Sequence, residues 1–302
     1  MLYARGVGLD QNLAESYKWF ALAARGARLV LSARREEELR ALALRTGLGE
    51  RDVLVLPFDL NNTANASGLA AQVLNHFGRI DVLVNNGGVS QRSEVLETSA
   101  EIERMLMEVN YFAQVNLARA VLPYMLRQGS GKIVVISSIA GKFGFYLRSS
   151  YSAAKHALHG YFESLRLEYE KKGISVLLVM PGKIRTSVSV HALRGDGSRH
   201  NAMDPSHEKA MSAAECARQI IRAIESERQE ALIGGKEILA RDVDELRCTS
   251  GNIAAGAAVA AGEHIEDRNG PVGLGGGDAL PDPVPCIVGD RRRRAGCDDA
   301  AS

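Results

Sequence analysis

Between Gly26 and Gly235 short, apolar, β-rich runs alternate with longer stretches of helical character. The strand-like runs are Ala27–Ser32, Val53–Pro57, Ile80–Val84, Lys132–Ser137, Ile174–Met180 and Ala231–Ile233. The helical stretches between them are Glu36–Leu44, Ala66–His76, Ala100–Leu126, Tyr151–Lys172 and Ala213–Glu227. Strands that alternate with helices pair in parallel through right-handed crossovers. The runs are apolar throughout instead of alternating, as expected when helices cover both faces of a sheet. The pattern predicts an α/β fold with a doubly wound, mostly parallel sheet, which places ligands at the carboxyl ends of its strands. Thr98-x-x-Glu101 and Ser212-x-x-Glu215 have the spacing of capping boxes and mark two helix starts.

Composition narrows the function classes. Of 302 residues, 37 are Lys or Arg and 36 are Asp or Glu, so the net charge of +1 argues against nucleic-acid binding driven by bulk charge. A hydrophobic share of 46% excludes a disordered polyelectrolyte and supplies a sizeable core. Cys216, Cys248, Cys286 and Cys297 form no C-x-x-C pair and no cluster, so no disulfide scaffold or metal site is expected. No apolar run reaches the roughly 18 residues of a membrane span. The first residues, MLYARGVGLDQ, lack a signal-peptide core. A soluble, cytoplasmic protein acting on a small molecule is the expectation.

The ends of the chain read differently from its middle. Residues 249–302 are rich in Gly, Ala and Pro and carry the run Arg291–Arg294, and they hold no aromatic residue. Such a stretch buries too little apolar surface to offset about 1–2 kcal/mol of backbone entropy per residue, so residues 241–302 are expected to form a flexible tail.

The candidate chemistry sits at strand ends. One strand ends in Asn85, Asn86, Gly87 and Gly88, where small residues let a flat ligand approach the backbone. The next ends in Ser137 and Ser138, and a hydroxyl there can donate to a carbonyl oxygen. Tyr151 and Lys155 follow, four residues apart on the opening of a helix and therefore on one face. A phenol titrates near 10, and a neighbouring ammonium favours the phenolate. Tyr151 is thereby suited to acid/base work on a carbonyl/alcohol pair. Asn110 lies inside a long helix, where a buried amide needs partners. The strand Ala27–Ser32 is followed by Ala33-Arg34-Arg35. An acidic residue there would favour NAD; arginine suits a 2′-phosphate, so NADP is expected over NAD.

Asn85-Asn86-Gly87-Gly88, Asn110, Ser138, Tyr151-x-x-x-Lys155 and Pro181-Gly182, in that order, resemble the short-chain dehydrogenase/reductase family. NNGGVSQRS and ALIGGKEILA look like its dehydrogenase/reductase member-seven branch. The resemblance covers residues 25–240. It implies Asn110, Ser138, Tyr151 and Lys155 as a catalytic tetrad, with Lys155 lowering the Tyr151 pKa and binding the nicotinamide ribose. It implies Asn85 and Gly87 along the cofactor, Asp59 near adenine, and Pro181, Gly182 and Thr186 near the nicotinamide. Residues 183–214 would form a mobile substrate loop. The family's long helices pack against a twofold mate, which implies a homodimer or homotetramer. Met105, Met107, Leu117 and Val121 on one helix, and Leu158, Phe162, Leu165 and Leu167 on the next, are the candidate interface residues.

The family's opening strand and T-G-x-x-x-G-x-G turn have no counterpart here. MLYARGVGLDQNLAESYKWFALAA stands upstream instead and resembles one Sel-one-like helical repeat, over residues 1–24. That strand is central in a Rossmann sheet, and its loss leaves two edges to be paired or covered. The glycine turn supplies amides for the pyrophosphate. Two readings therefore stand beside the oxidoreductase: an inert Rossmann-like protein unable to bind cofactor, and an interaction protein using the repeat-like helix.

Overall fold

The computed structural model describes residues 26–204 and 210–235. The expected repeat-like segment and the tail lie outside the described residues. Four parallel strands form the main sheet in the order β3 (Val82–Asn85), β4 (Gly131–Ile136), β5 (Ile174–Pro181) and β8 (Glu230–Ile233). Its register sets Asn85 beside Val135, Ile136 beside Val179 and Pro181 beside Ile233, so the carboxyl ends line up along one edge. β1 (Leu29–Leu31) and β2 (Val53–Val55) form a separate parallel pair. The sheet is thus interrupted where the sequence reading has a strand missing. Among the described residues no strand joins β1 to β3, which are the two edges that a missing central strand leaves.

Side-chain alternation shows why the β1–β2 pair still stacks with the rest. In β1, Val30 points into one apolar layer while Leu29 and Leu31 point into the other. Ile133 and Val135 of β4 enter the first layer with Val30, and Val134 and Ile136 enter the second. Helices α2 (Ala66–Phe77), α4 (Ala113–Gln128) and α5 (Ser149–Tyr169) cover the first layer. Helices α1 (Glu36–Thr46) and α6 (Ala213–Glu225) cover the second. The two sheets therefore share both cores, and the doubly wound reading holds in its layering.

Several boundaries differ from expectation for local reasons. The stretch expected as one helix over Ala100–Leu126 is α3 (Ala100–Met107), a π-turn (Glu108–Phe112) and α4. The π-turn carries Asn110, which is fully buried, and such turns favour functional positions. Helix α3 is capped by Ser99, whose hydroxyl accepts from Ile102 N, and not by Thr98. The Thr98 hydroxyl instead donates to Glu94 O at 2.6 Å. At α6 the capping box is present, with the Ser212 hydroxyl accepting from Glu215 N at 3.2 Å. A short parallel pair, β6 (Ile184–Arg185) with β7 (Met211–Ser212), has no counterpart in the sequence reading.

The expected interface residues are mostly core. Leu117, Val121, Leu158, Phe162 and Leu165 are buried within the chain. Helical spacing alone does not separate a core face from an interface face when a helix covers a wide sheet. Of the expected set Leu167 is exposed, at 76%, and Phe112 joins it at 46%.

Candidate active site

The carboxyl ends of β3, β4 and β5 converge on the start of α5. That helix begins at Ser149, so Tyr151 lies on its first turn and Lys155 one turn later. Arg148 occupies the cap position and supplies no capping bond of its own. The cap comes from far away in sequence. Gln91 is buried, and its side-chain carbonyl accepts from Ser150 N at 2.9 Å and Tyr151 N at 3.1 Å. Its amide group reaches Ser93, Thr98 and Ser149. Nothing in the local pattern around Gln91 announces this role.

Lys155 is buried and donates to Ile136 O at 2.8 Å, which ties the catalytic helix to the end of β4. Its ammonium stands 5.8 Å from the centre of the Tyr151 ring. Burial pushes the Tyr151 phenol above its ordinary pKa, while the Arg148 guanidinium and a hydrogen bond with Ser138 pull it back. Arg148 is a cation that opposes burial there. The expectation singled out Lys155 for that effect and did not include Arg148. Ser138 caps a short 3-10 turn through its hydroxyl, which accepts from Ala140 N at 3.1 Å.

Asn110 clasps one residue with both ends of its amide. Its Oδ1 accepts from Val89 N at 2.8 Å and its Nδ2 donates to Val89 O at 3.0 Å. The clasp brings the Gly87–Val89 turn close: a Cβ on Gly88 would lie 2.7 Å from Asn110 Oδ1 and 3.5 Å from Lys155 Nζ. Only glycine fits there. Ser138, Tyr151, Lys155 and Asn110 are thus brought to one strand-end region, as the sequence reading has them.

A cleft lies at the ends of β1, β2 and β3, lined among others by Ser32, Arg34, Asp59, Asn85, Gly87 and Gln114. Asn85 Nδ2 donates to Gln114 O at 2.9 Å, and Gln114 Nε2 donates to Gly87 O at 2.8 Å. The other atom of each amide, Asn85 Oδ1 and Gln114 Oε1, is buried without a partner in this lining. Two buried acceptors without a partner among the described residues, in a largely apolar cleft, fit a ligand with hydrogen-bond donors. Gln114 has no separate sequence signal; its helical position only places it one turn beyond Asn110. Asp59 is exposed and accepts from Asn61 N at 2.9 Å. Arg34 lines the cleft, whereas Arg35 pairs with Glu38 at 2.5 Å. Pro181 ends β5, Gly182 N donates to Ile233 O at 2.8 Å, and Thr186 accepts weakly from Val188 N at 3.4 Å.

The expected substrate loop is more firmly held than its composition suggests. Arg92 N donates to Leu193 O and Leu193 N to Ser90 O, at 2.7 and 2.9 Å. Ser99 N donates to Gly195 O at 3.0 Å, and a Cβ on Gly195 would lie 1.9 Å from Glu97 O. Arg92 also pairs with Asp204 at 2.8 Å. Main-chain bonds of this kind have no side-chain signature, so the sequence reading sees only glycines.

The family model for short chain dehydrogenase matches residues 17–196. The chain belongs to the short-chain dehydrogenase family. Dehydrogenase/reductase SDR family member 7B of Mus musculus is 40% identical over 214 residues, covering 70% of this chain and 66% of the relative. Dehydrogenase/reductase SDR family member 7 of Homo sapiens is 38% identical over 239 residues, covering 77% and 68%. Among solved structures, a short-chain dehydrogenase from Streptomyces avermitilis superposes with a TM-score of 0.68 at 27% identity, covering 86% of this chain and 97% of the other. A metagenomic short-chain oxidoreductase in complex with NADP gives 0.60 at 26% identity, covering 77% and 95%. The chain is therefore a member of a nicotinamide-dependent oxidoreductase family and of its member-seven branch. Among the described residues no helix is long and apolar enough to cross a membrane.

Proposed function

We propose that this chain interconverts a carbonyl and an alcohol with NADP(H), Tyr151 exchanging the proton. The observation that carries the reading is the buried ammonium of Lys155 standing 5.8 Å from the Tyr151 ring, with Ser138 close enough to favour the phenolate. In the reductive direction the phenol donates a proton to the substrate oxygen while Ser138 orients that oxygen. Burial keeps the phenol protonated and so armed as an acid. In the oxidative direction Arg148 and Ser138 favour the phenolate that accepts the proton. Lys155, held by Ile136 O, stands where the family resemblance puts the nicotinamide ribose. Asn110 holds the Gly87–Val89 turn in place against the reacting face. A bound nicotinamide cofactor would supply the hydride. Asn85, Gly87, Asp59 and Gln114 would line the nucleoside side, and Pro181, Gly182 and Thr186 the nicotinamide side.

Arg34 supports NADP over NAD, since it lines the cleft and no acidic residue follows β1 before Glu36. Homo-oligomer formation rests on the family resemblance and on exposed Phe112 and Leu167. The test is turnover of a panel of aldehydes, ketones and secondary alcohols with NADPH or NADP⁺, run beside Tyr151→Phe. A second reading, an inert Rossmann-like protein, is favoured by one observation: among the described residues no strand links β1 to β3. NADPH titration into the purified full chain separates the two, because the inert protein shows no saturable binding.

A further inference from the structure

We infer that His159, Glu163 and Glu230 form a binding site for one divalent transition-metal ion, beside Ser137 just past the end of β4. One ring nitrogen of His159 and an oxygen from each carboxylate lie within 4.8 Å of one another. They come from two elements: His159 and Glu163 stand one turn apart on α5, and Glu230 opens β8. One imidazole and two carboxylates are a ligand set that zinc accepts.

One imidazole nitrogen is already taken: Ser137 Oγ lies 2.9 Å from His159 Nε2. The other, Nδ1, is buried on a residue only 7% exposed, and among the described residues it has no hydrogen-bond partner. It faces Glu163 Oε1 at 3.7 Å, too far for a hydrogen bond and close to the separation of two ligands on one ion. A metal ion takes a neutral imidazole and is held in place by the two carboxylates.

The surroundings fit that role. The Ser137 contact holds the ring's orientation, as a hydrogen bond to the non-ligating nitrogen does in metal sites. Gly141 leaves the room: a Cβ there would lie 2.6 Å from Ser137 Oγ and 2.7 Å from His159 Nε2. Ligands about 2.1 Å from a tetrahedral zinc stand roughly 3.4 Å apart, so modest rotation of the two glutamates closes the site. Lys142 pairs with Glu230 at 3.5 Å and is the ion's competitor; it is exposed enough to swing away. Binding would fasten β8 to α5, the helix that carries Tyr151 and Lys155.

The experiment uses the untagged full-length chain, stripped with chelator and titrated with zinc chloride by calorimetry. The d–d absorbance of added Co²⁺ serves as a second readout of coordination. We expect one ion per chain. Glu163→Gln and Glu230→Gln, both at solvent-accessible positions, should each weaken binding tenfold or more, and Lys142→Met should strengthen it. His159→Gln should abolish it, with circular dichroism checking that the variant folds. Absence of zinc binding, or a loss below tenfold in the Glu163→Gln/Glu230→Gln double variant, overturns the proposal. In the second case the ion sits elsewhere, for example on cysteine thiols.

Discussion

The side-chain carbonyl of Gln91 accepts a hydrogen bond from the backbone of Tyr151 at 3.1 Å across 60 residues of chain. The helix that presents the proton-transfer residue is thus capped by the loop that follows β3. Gln91→Ala removes that cap and strands Ser150 N and Tyr151 N near a buried site. Losing a helix cap costs about 0.5–2 kcal/mol, and unpaired buried donors add to that. Urea denaturation should show a lower midpoint with an unchanged slope, and turnover should fall because Tyr151 is no longer fixed. A wild-type midpoint for Gln91→Ala would remove the capping role.

Tyr151→Phe keeps the ring and deletes the proton. Turnover should drop by about 10²–10⁴, the range for losing a general acid/base. Circular dichroism should be unchanged, because the ring packs the same way. Rates within twofold of wild type would rule out Tyr151 as the acid/base.

Arg148 gives the site a pH signature. Its guanidinium favours the Tyr151 phenolate against burial. Removing it in Arg148→Gln raises the phenol's pKa. Oxidation, which needs the phenolate, should then have its rising limb at higher pH. Reduction, which needs the phenol, should hold its rate to higher pH. Arg148→Lys keeps the charge and should sit near wild type. The guanidinium also bonds the Ser90 hydroxyl and Gln91 O, so a variant that only loosened the loop would lower rates without moving either limb.

The strands and helices were legible because each apolar run has its own length and its own punctuation. Gly47, Gly78, Gly129 and Gly173 each end a helix or turn in the left-handed region, which glycine adopts without strain. The candidate site residues Asn110, Ser138, Tyr151 and Lys155 stood out because such residue types are few and their chemistry is coupled. The partners of the site did not. Gln91, Gln114 and Arg148 act across long stretches of chain, and a lone Gln or Arg in a polar loop has no distinguishing pattern. The break between β1 and β3 was legible as a missing strand. That the β1–β2 pair still shares both apolar layers follows only from the alternation of Leu29, Val30 and Leu31 between them.

Cofactor preference tests Arg34. It lines the cleft at the end of β1, while Arg35 beside it pairs with Glu38 through Nη1. A charge-assisted bond to a 2′-phosphate is worth about 1.5–3 kcal/mol, so NADPH should bind about tenfold or more tightly than NADH. Arg34→Asp should erase or invert that ratio by accepting from a 2′-hydroxyl and repelling the phosphate. Equal affinities in the wild type, measured by fluorescence titration, would remove Arg34 from cofactor selection.

The interrupted sheet should be visible in hydrogen exchange. Among the described residues β1 is paired only with β2, and the two make a three-rung ladder. β4 is paired on both sides, with β3 and β5, and its Ile133, Val134 and Val135 are fully buried. A two-stranded pair alone is marginal in water, so β1–β2 depends on the helices above and below it for its stability. Local opening of such a pair requires less free energy than global unfolding. Amides of Leu29–Leu31 should therefore exchange well before those of Ile133–Ile136 under native conditions. Saturating NADPH should slow the first group more than the second, because Ser32 and Arg34 at the end of β1 line the cofactor cleft. Equal protection of the two strands without cofactor would mean that β1 is paired on its second edge after all.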